Sequence, residues 1–263
     1  MRKDELRTEI IKQLGRAFIM QKKTSVSLIL LALCCVISLS GCDSRKKAYN
    51  EAEKLYSNGK WQEAREVFAE LGDYQDAADQ VKNCDYNIAE NAFNSGDYQT
   101  AMNMYAEMMD FKDARAHSHE IMKRLAGQMF IDKCTEGLTS FDNYVNTSAQ
   151  KIITAALTAG SFSIDYGDKD YKATIQCGKD ITAMKKEYQE VFTDELMDKL
   201  DDENMKKAHK AFIETADYAI GFFEATNVQN YIYSMGGVNT TVKYEPEPFG
   251  SKMSQYTNLG NNL

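Results

Sequence analysis

Nine residues of this chain recur at one constant spacing, and no other feature restricts its fold as tightly. Tyr49, Ala52, Gly59, Trp61, Ala64, Phe68, Tyr74, Asp76 and Ala77 return as Tyr86, Ala89, Gly96, Tyr98, Ala101, Tyr105, Phe111, Asp113 and Ala114, each pair 37 residues apart. A period of this length belongs to solenoids of stacked helix pairs. Ala52 and Ala89 put a small residue where two helices must approach closely. Asn58-Gly59 and Ser95-Gly96 supply the positive φ that ends a helix in a tight turn. Trp61, Ala64 and Phe68 follow at i, i+3 and i+7, one face of a second helix. Proline, the strongest helix breaker, occurs only at Pro246 and Pro248. The expected fold class is therefore all-α.

A small residue in the first helix, a Gly-x-aromatic turn and a following Ala-x-x-x-aromatic resemble the tetratricopeptide repeat in both copies. Two features depart from that family. The closing proline is replaced by Asp76 and Asp113, and each unit is longer at its junction, through Gly72-Asp73-Tyr74 and Met109-Asp110-Phe111. A partial third copy places Ala126 and Phe130 in register, but the glycine position is now Lys133, so the helix is expected to run on there. The resemblance implies a concave surface for an extended peptide or partner protein, with Lys54, Ser57, Asn87, Glu90, Asn91 and Asn94 as candidate groove positions. The same six positions are also consistent with a plain solvated face.

After the repeats, assigned to 48–130, a helical bundle is expected over 118–235, sharing its first helix with the last half-repeat. Apolar residues from Met122 to Ala156 step by three or four, which reads as one long helix from about His119 to Leu157, bent at Gly127 or Gly137. Tyr171 to Leu200 makes a second helix, a third starts at Asp201-Asp202-Glu203, and a short fourth covers Val228 to Met235. A short solenoid followed by an antiparallel bundle is the simplest architecture. The tail, 236–263, contains Glu245-Pro246-Glu247-Pro248 and is expected to be extended or disordered.

The N-terminus reads as an address. Lys22 and Lys23 precede an apolar run from Leu28 to Ile37, the length of a signal-peptide core and too short to span a membrane. Leu39-Ser40-Gly41-Cys42 follows. This resembles a bacterial lipoprotein signal peptide over 1–41, with Met20 as an alternative start. The resemblance implies cleavage between Gly41 and Cys42, diacylglyceryl attachment to the Cys42 sulfur, a tether over 42–47, and an extracytoplasmic, lipid-anchored place at the plasma membrane; Asp43 after the cysteine favours retention there. The formal charge is −8, and the leader contributes seven basic and three acidic residues, so the body after it is more acidic still. Such a body is repelled by nucleic acid and by anionic headgroups, so no nucleic-acid partner is expected and attachment rests on the anchor.

Sites for chemistry are few. Cys84, Cys134 and Cys177 remain beyond Cys42, an odd number, and buried free thiols are the favoured reading. A hairpin turning near residue 163 would offset Cys134 from Cys177 by about 22 Å along the axis, too far to bridge. His117 and His119 point about 200° apart on a helix and, with His209, are read as solvated rather than metal-binding. Asp165, Asp168 and Asp170 do not match a calcium loop and are read as capping carboxylates. Asp194, Glu195, Asp198, Asp201, Asp202 and Glu203 are read as a solvated acidic face. The expectation is a membrane-anchored interaction or scaffold module without cofactor or catalytic residues, whose partner is an envelope protein or peptide. The alternatives are a cell-wall hydrolase using bundle carboxylates, which would need paired acids in a cleft, and a solute-binding lipoprotein.

Overall fold

The computed structural model describes residues 41–260, with residues 41–43 described for their backbone alone. The leader up to residue 40, the Cys42 side chain and residues 261–263 lie outside the described residues. These form eleven helices and no strand, so the chain is all-α. They run as α1 Gly41–Ser57, α2 Trp61–Leu71, α3 Ala77–Ser95, α4 Tyr98–Ala106, α5 Ala114–Ala126, α6 Gln128–Leu157, α7 Lys169–Val191, α8 Asp194–Lys199, α9 Glu203–Phe222, α10 Ala225–Met235 and α11 Pro246–Gly260. The chain divides into two compact units between Ile88 and Ala89, inside α3.

The repeat is reproduced at the level of individual backbone hydrogen bonds. Gly59 donates to Tyr56 and Lys60 to Leu55, as Gly96 donates to Phe93 and Asp97 to Ala92. Gly59 and Gly96 have φ of 74° and 81°. At the longer junction, Tyr74 bonds Leu71 and Ala77 bonds Tyr74, matched by Phe111 on Met108 and Ala114 on Phe111. The extra residues thus build one defined turn in both copies, in place of the proline stop.

In the first unit, α1 and α2 close a core of Tyr49, Ala52, Ala64, Val67, Phe68 and Leu71, to which α3 adds Ala77 and Cys84. Tyr49 meets Phe68 edge-on at 5.4 Å and donates its hydroxyl to the Asp76 carboxylate. Burial, then that carboxylate, pushes the Tyr49 phenol up to about 12. The expected tether over 42–47 is corrected here. Ser44 is buried, and Arg45 donates to the Leu71 carbonyl at 2.7 Å and to Asp73 at 2.7 Å, with its guanidinium over the Tyr74 ring. An orphan carbonyl at the end of α2 gives the basic segment a partner, so it folds as the start of α1.

In the second unit the expected long helix breaks at Gly127. The backbone there, φ −91° and ψ −125°, would set a Cβ 2.1 Å from the Lys123 carbonyl oxygen, which only glycine avoids. Lys133 lies within α6, so the helix does run on past the lost glycine. The second bundle helix ends at Val191 rather than Leu200. Thr193 accepts from the Leu196 N–H, and the acidic pair behind it starts α8.

The tail is a further correction. Pro246 opens α11, where a missing N–H costs nothing because the first-turn donors have no helical partner. Phe249 is buried against Phe222, Phe223 and Tyr218. Tyr256 packs on Phe130 and Phe212 and donates to the Ala126 carbonyl, satisfying a C-terminal acceptor of α5. Before α11, Asn227 fills its four hydrogen-bonding positions. It donates to the carbonyls of Phe222 at 3.2 Å and Tyr244 at 2.9 Å, and accepts from the N–H groups of Lys243 and Tyr244. One amide therefore fastens the segment before α11 to the bundle.

The α6–α7 hairpin also departs from the expected register. Lys133 reaches Asp180 at 3.4 Å, and the Tyr144 ring lies 5.2 Å from Tyr171, in the first turn of α7. The end of α6 therefore overhangs α7, and residues 158–168 return alongside it, with Lys151 and the Tyr144 hydroxyl both reaching Asp165. Extended chain covers this distance in fewer residues than helix does, which removes the offset expected between Cys134 and Cys177. Both are buried free thiols, and Cys177 is near enough to add to the burial that raises the Cys134 pKa.

Candidate functional site

The six candidate groove positions fall on both sides of the unit boundary. In the first unit Lys54 and Ser57 are exposed, while Asn87 donates to the Tyr56 hydroxyl at 2.7 Å. In the second, Glu90 accepts from the Tyr105 hydroxyl and lies 3.2 Å from His117 Nε2. Asn91 and Asn94 are exposed at the end of α3. Asn87 and Glu90 are thus engaged within the fold, which leaves Lys54, Ser57, Asn91 and Asn94 as the outward-facing members.

Around Asn91 and Asn94 the second unit carries a ring cluster that periodicity alone did not single out. Phe93 lies 4.9 Å from His117 and 6.1 Å from Tyr98, and His117 stacks on Tyr105 at 5.5 Å. Arg124 covers Phe93 at 5.1 Å while donating to the Tyr98 hydroxyl at 3.1 Å and to Glu120 at 2.8 Å. Asp113 lies 3.3 Å from His117 Nε2. Helices α3, α4 and α5 supply these groups because the repeat sets an aromatic at 93, 98 and 105. The exposed asparagines and Arg124 offer two of the things peptide recognition uses, amides for backbone groups and a guanidinium.

The histidines are corrected from solvated to engaged. His119 Nε2 and Arg115 Nη1 each lie 2.8 Å from one oxygen of Asp202, whose other oxygen accepts from the N–H groups of Asn204 and Met205. Burial of Asp202 alone would raise its pKa. The Met205 N–H, then His119 and Arg115, outweigh that and bring it down to about 2. His209 Nδ1 lies 3.1 Å from the Tyr188 hydroxyl and its Nε2 3.5 Å from Asp194. Burial lowers the His209 pKa, with Asp194 opposing. Neutral His209 thus accepts from Tyr188 and presents its N–H to Asp194.

Asp168, read as a capping carboxylate, does cap α7 through the N–H groups of Asp170 and Tyr171. In the set read as a solvated acidic face, Asp202 is instead buried and caps α9, while Glu195 is held below its ordinary range by Lys199. A general acid needs its pKa raised, and both shifted members of the set go down. Among the described residues no group of three or more His, Cys, Asp or Glu is placed to hold a metal, and no helix is long and apolar enough to cross a membrane. A cleft of about 400 Å³ lies between α5, α6, α9 and α11, lined by Lys123, Gln128, Ile131 and Thr257 among others.

The chain matches no family model, no curated protein and no solved structure.

Proposed function

We propose that this protein is an extracytoplasmic lipoprotein, anchored through Cys42, that holds an envelope protein or peptide with its helical repeats. The observation that carries the reading is the 37-residue repeat, matched in side chains and again in turn hydrogen bonds. Helix-pair repeats present the faces of their first helices, and here Asn91 and Asn94 of α3 and Arg124 of α5 are exposed on the second unit. The lipobox-like Leu39-Ser40-Gly41-Cys42 supports the anchor, and an acidic body gives attachment no other electrostatic source. Arg45, three residues after Cys42, is tied into the first unit, so the acylated cysteine would sit close to folded structure.

Two measurements on intact bacteria test the reading. Metabolic labelling with an alkyne fatty acid should mark the protein and fail in Cys42→Ser. A photo-crosslinking residue at Asn91 or Asn94 should give one discrete adduct, absent with the same residue at Asp142 and weakened in Arg124→Ala. Absence of label removes the anchor, and absence of an adduct specific to 91 and 94 removes the repeat face as the binding surface.

A further inference from the structure

Five of the six large apolar side chains exposed among the described residues gather at one end of the second unit. They are Ile153 and Leu157 in the last turns of α6, Tyr166 in the linker after it, Met235 at the end of α10, and Val238 just beyond; Leu157 is 82% exposed. The elements that carry them meet there. Ile152 Cδ1 lies 4.0 Å from where a Cβ on Gly236 would stand, and Tyr166 interacts with Tyr233 and lies 5.6 Å from the Tyr171 ring.

Charge is sparse at this end. Ile152–Ile164 and Ala225–Val242 contain no Asp, Glu, Lys or Arg in a chain that is 27% charged. Between Asn143 and Ile164 the one charge is Lys151, paired with Asp165 at 3.5 Å. The surface between the apolar side chains is Thr154, Thr158, Ser161, Ser163 and Asn239, all uncharged. The end also projects, because α6 continues past the first turn of α7 for roughly a dozen residues, about 18 Å.

Protein interfaces seat aromatic or arginine anchors in fitted pockets ringed by polar groups. Projecting aliphatic tips among hydroxyls, with a single ion pair beside them, match instead a surface that demands neither shape nor charge complementarity. A bilayer interface accepts aliphatic side chains singly and holds tyrosine at headgroup level. The rest of this acidic body is repelled where headgroups are anionic, so this end is the one suited to approach. We propose that the α6–linker–α10 end inserts Ile153, Leu157 and Val238 into the interfacial layer of a phospholipid bilayer, as a contact additional to the Cys42 lipid. The setting rests on the anchored reading above, but the contact itself requires no acylation.

Trp61 is the single tryptophan, so the contact has a clean reporter. The full chain carrying Cys42→Ser, Trp61→Phe and Leu157→Trp is mixed with neutral phosphatidylcholine vesicles, with and without brominated acyl chains. The tip tryptophan should shift to shorter wavelength and be quenched by bromine. Glu187→Trp in the same Cys42→Ser, Trp61→Phe background, on an exposed stretch of α7, should show neither change. Ile153→Asp added to the tip reporter should weaken partitioning about tenfold, as a carboxylate resists the interface. An unshifted, unquenched tip overturns the proposal, as does equal quenching at position 187. A blue shift without lipid that grows with protein concentration overturns it in favour of a second copy, and a requirement for anionic lipid overturns it in favour of an electrostatic contact.

Discussion

Gln75 and Lys112 stand 37 residues apart and adopt the same left-handed backbone conformation, φ 51° and 50°. Neither is glycine or asparagine, so each holds a geometry that costs an ordinary residue about 1–2 kcal/mol. Both sit in the junction that replaces the closing proline, one residue before Asp76 or Asp113. The shared conformation shows that the junction is a built turn, conserved between copies in shape while its residues differ.

The first prediction follows from that strain. Gln75→Gly and Lys112→Gly should each stabilise the protein by about 0.5–1 kcal/mol, the relief being partly offset by the freer unfolded chain. Gln75→Val and Lys112→Val should each cost about 1–2 kcal/mol, since a β-branched residue tolerates positive φ worst. Urea unfolding reads all four variants. Unequal effects at the two positions would mean that the turns are alike in geometry but not in energy.

Asn227 gives the second. Its amide is buried and uses two donors and two acceptors, on the backbone of Phe222, Lys243 and Tyr244. Asn227→Ala should cost about 2–3 kcal/mol, because several backbone groups lose their partner at once. Asn227→Asp should cost at least as much at neutral pH, since a carboxylate cannot donate to the two carbonyls. Hydrogen exchange should then quicken first over 238–260, since this side chain ties that segment to α9 and α10.

These two sites also mark where the sequence stops being readable. The repeat is legible because glycine, alanine and aromatic positions carry their structural reason in their identity. Gln75 and Lys112 do not, since nothing in glutamine or lysine announces a positive φ. Pro246 and Pro248 suggested an extended tail because proline breaks helices from within, yet at a first turn it starts them. Arg45 looked like part of a tether because its partners, Leu71 and Asp73, are reached only through the fold. The Cys134–Cys177 offset was misjudged because spacing shows where α6 ends but not how far the return segment folds back. Thr193 was passed over as a cap, because apolar spacing through Phe192, Leu196 and Leu200 carries one helix across it. The engagement of Asn87 and Glu90 with Tyr56 and Tyr105 was not readable, because an inward and an outward polar residue on a helix look alike in sequence.

Asp202 supplies the third prediction, with a sign that can be worked out. Its folded pKa is about 2, below the ordinary value of 3.8. A carboxylate depressed on folding contributes stability above its unfolded pKa and loses it as pH falls through the folded value. The contribution should be about 2 kcal/mol at neutral pH, fading between roughly pH 4 and pH 2. Asp202→Asn keeps an acceptor for the α9 cap but faces Arg115 and His119 without charge, and should flatten that acid limb. Asp202→Ala removes the α9 cap and the carboxylate shared by Arg115 and His119, while Arg115 keeps Asp110 and the Asp201 carbonyl, and should cost about 2–3 kcal/mol. Denaturant midpoints between pH 2 and pH 7 check both, and an unchanged acid limb in Asp202→Asn would remove Asp202 as its source.

His209 acts in a separate, milder range. Burial beside Tyr188 holds its folded pKa below the ordinary 6.5, with Asp194 too exposed to reverse that effect. A base buried neutral favours the folded state above its unfolded pKa, and stability declines as pH falls below that value, because the unfolded chain takes up the proton first. The melting temperature should therefore begin to drop below about pH 6.5, before the carboxylate limb set by Asp202 is reached. His209→Gln should cost about 1 kcal/mol at pH 7 through the weakened Tyr188 contact, yet lose less on acidification, so the two melting curves converge toward pH 5. Asp194→Asn removes the opposing charge and should steepen the wild-type decline. A slope that survives unchanged in His209→Gln would assign this limb to another group.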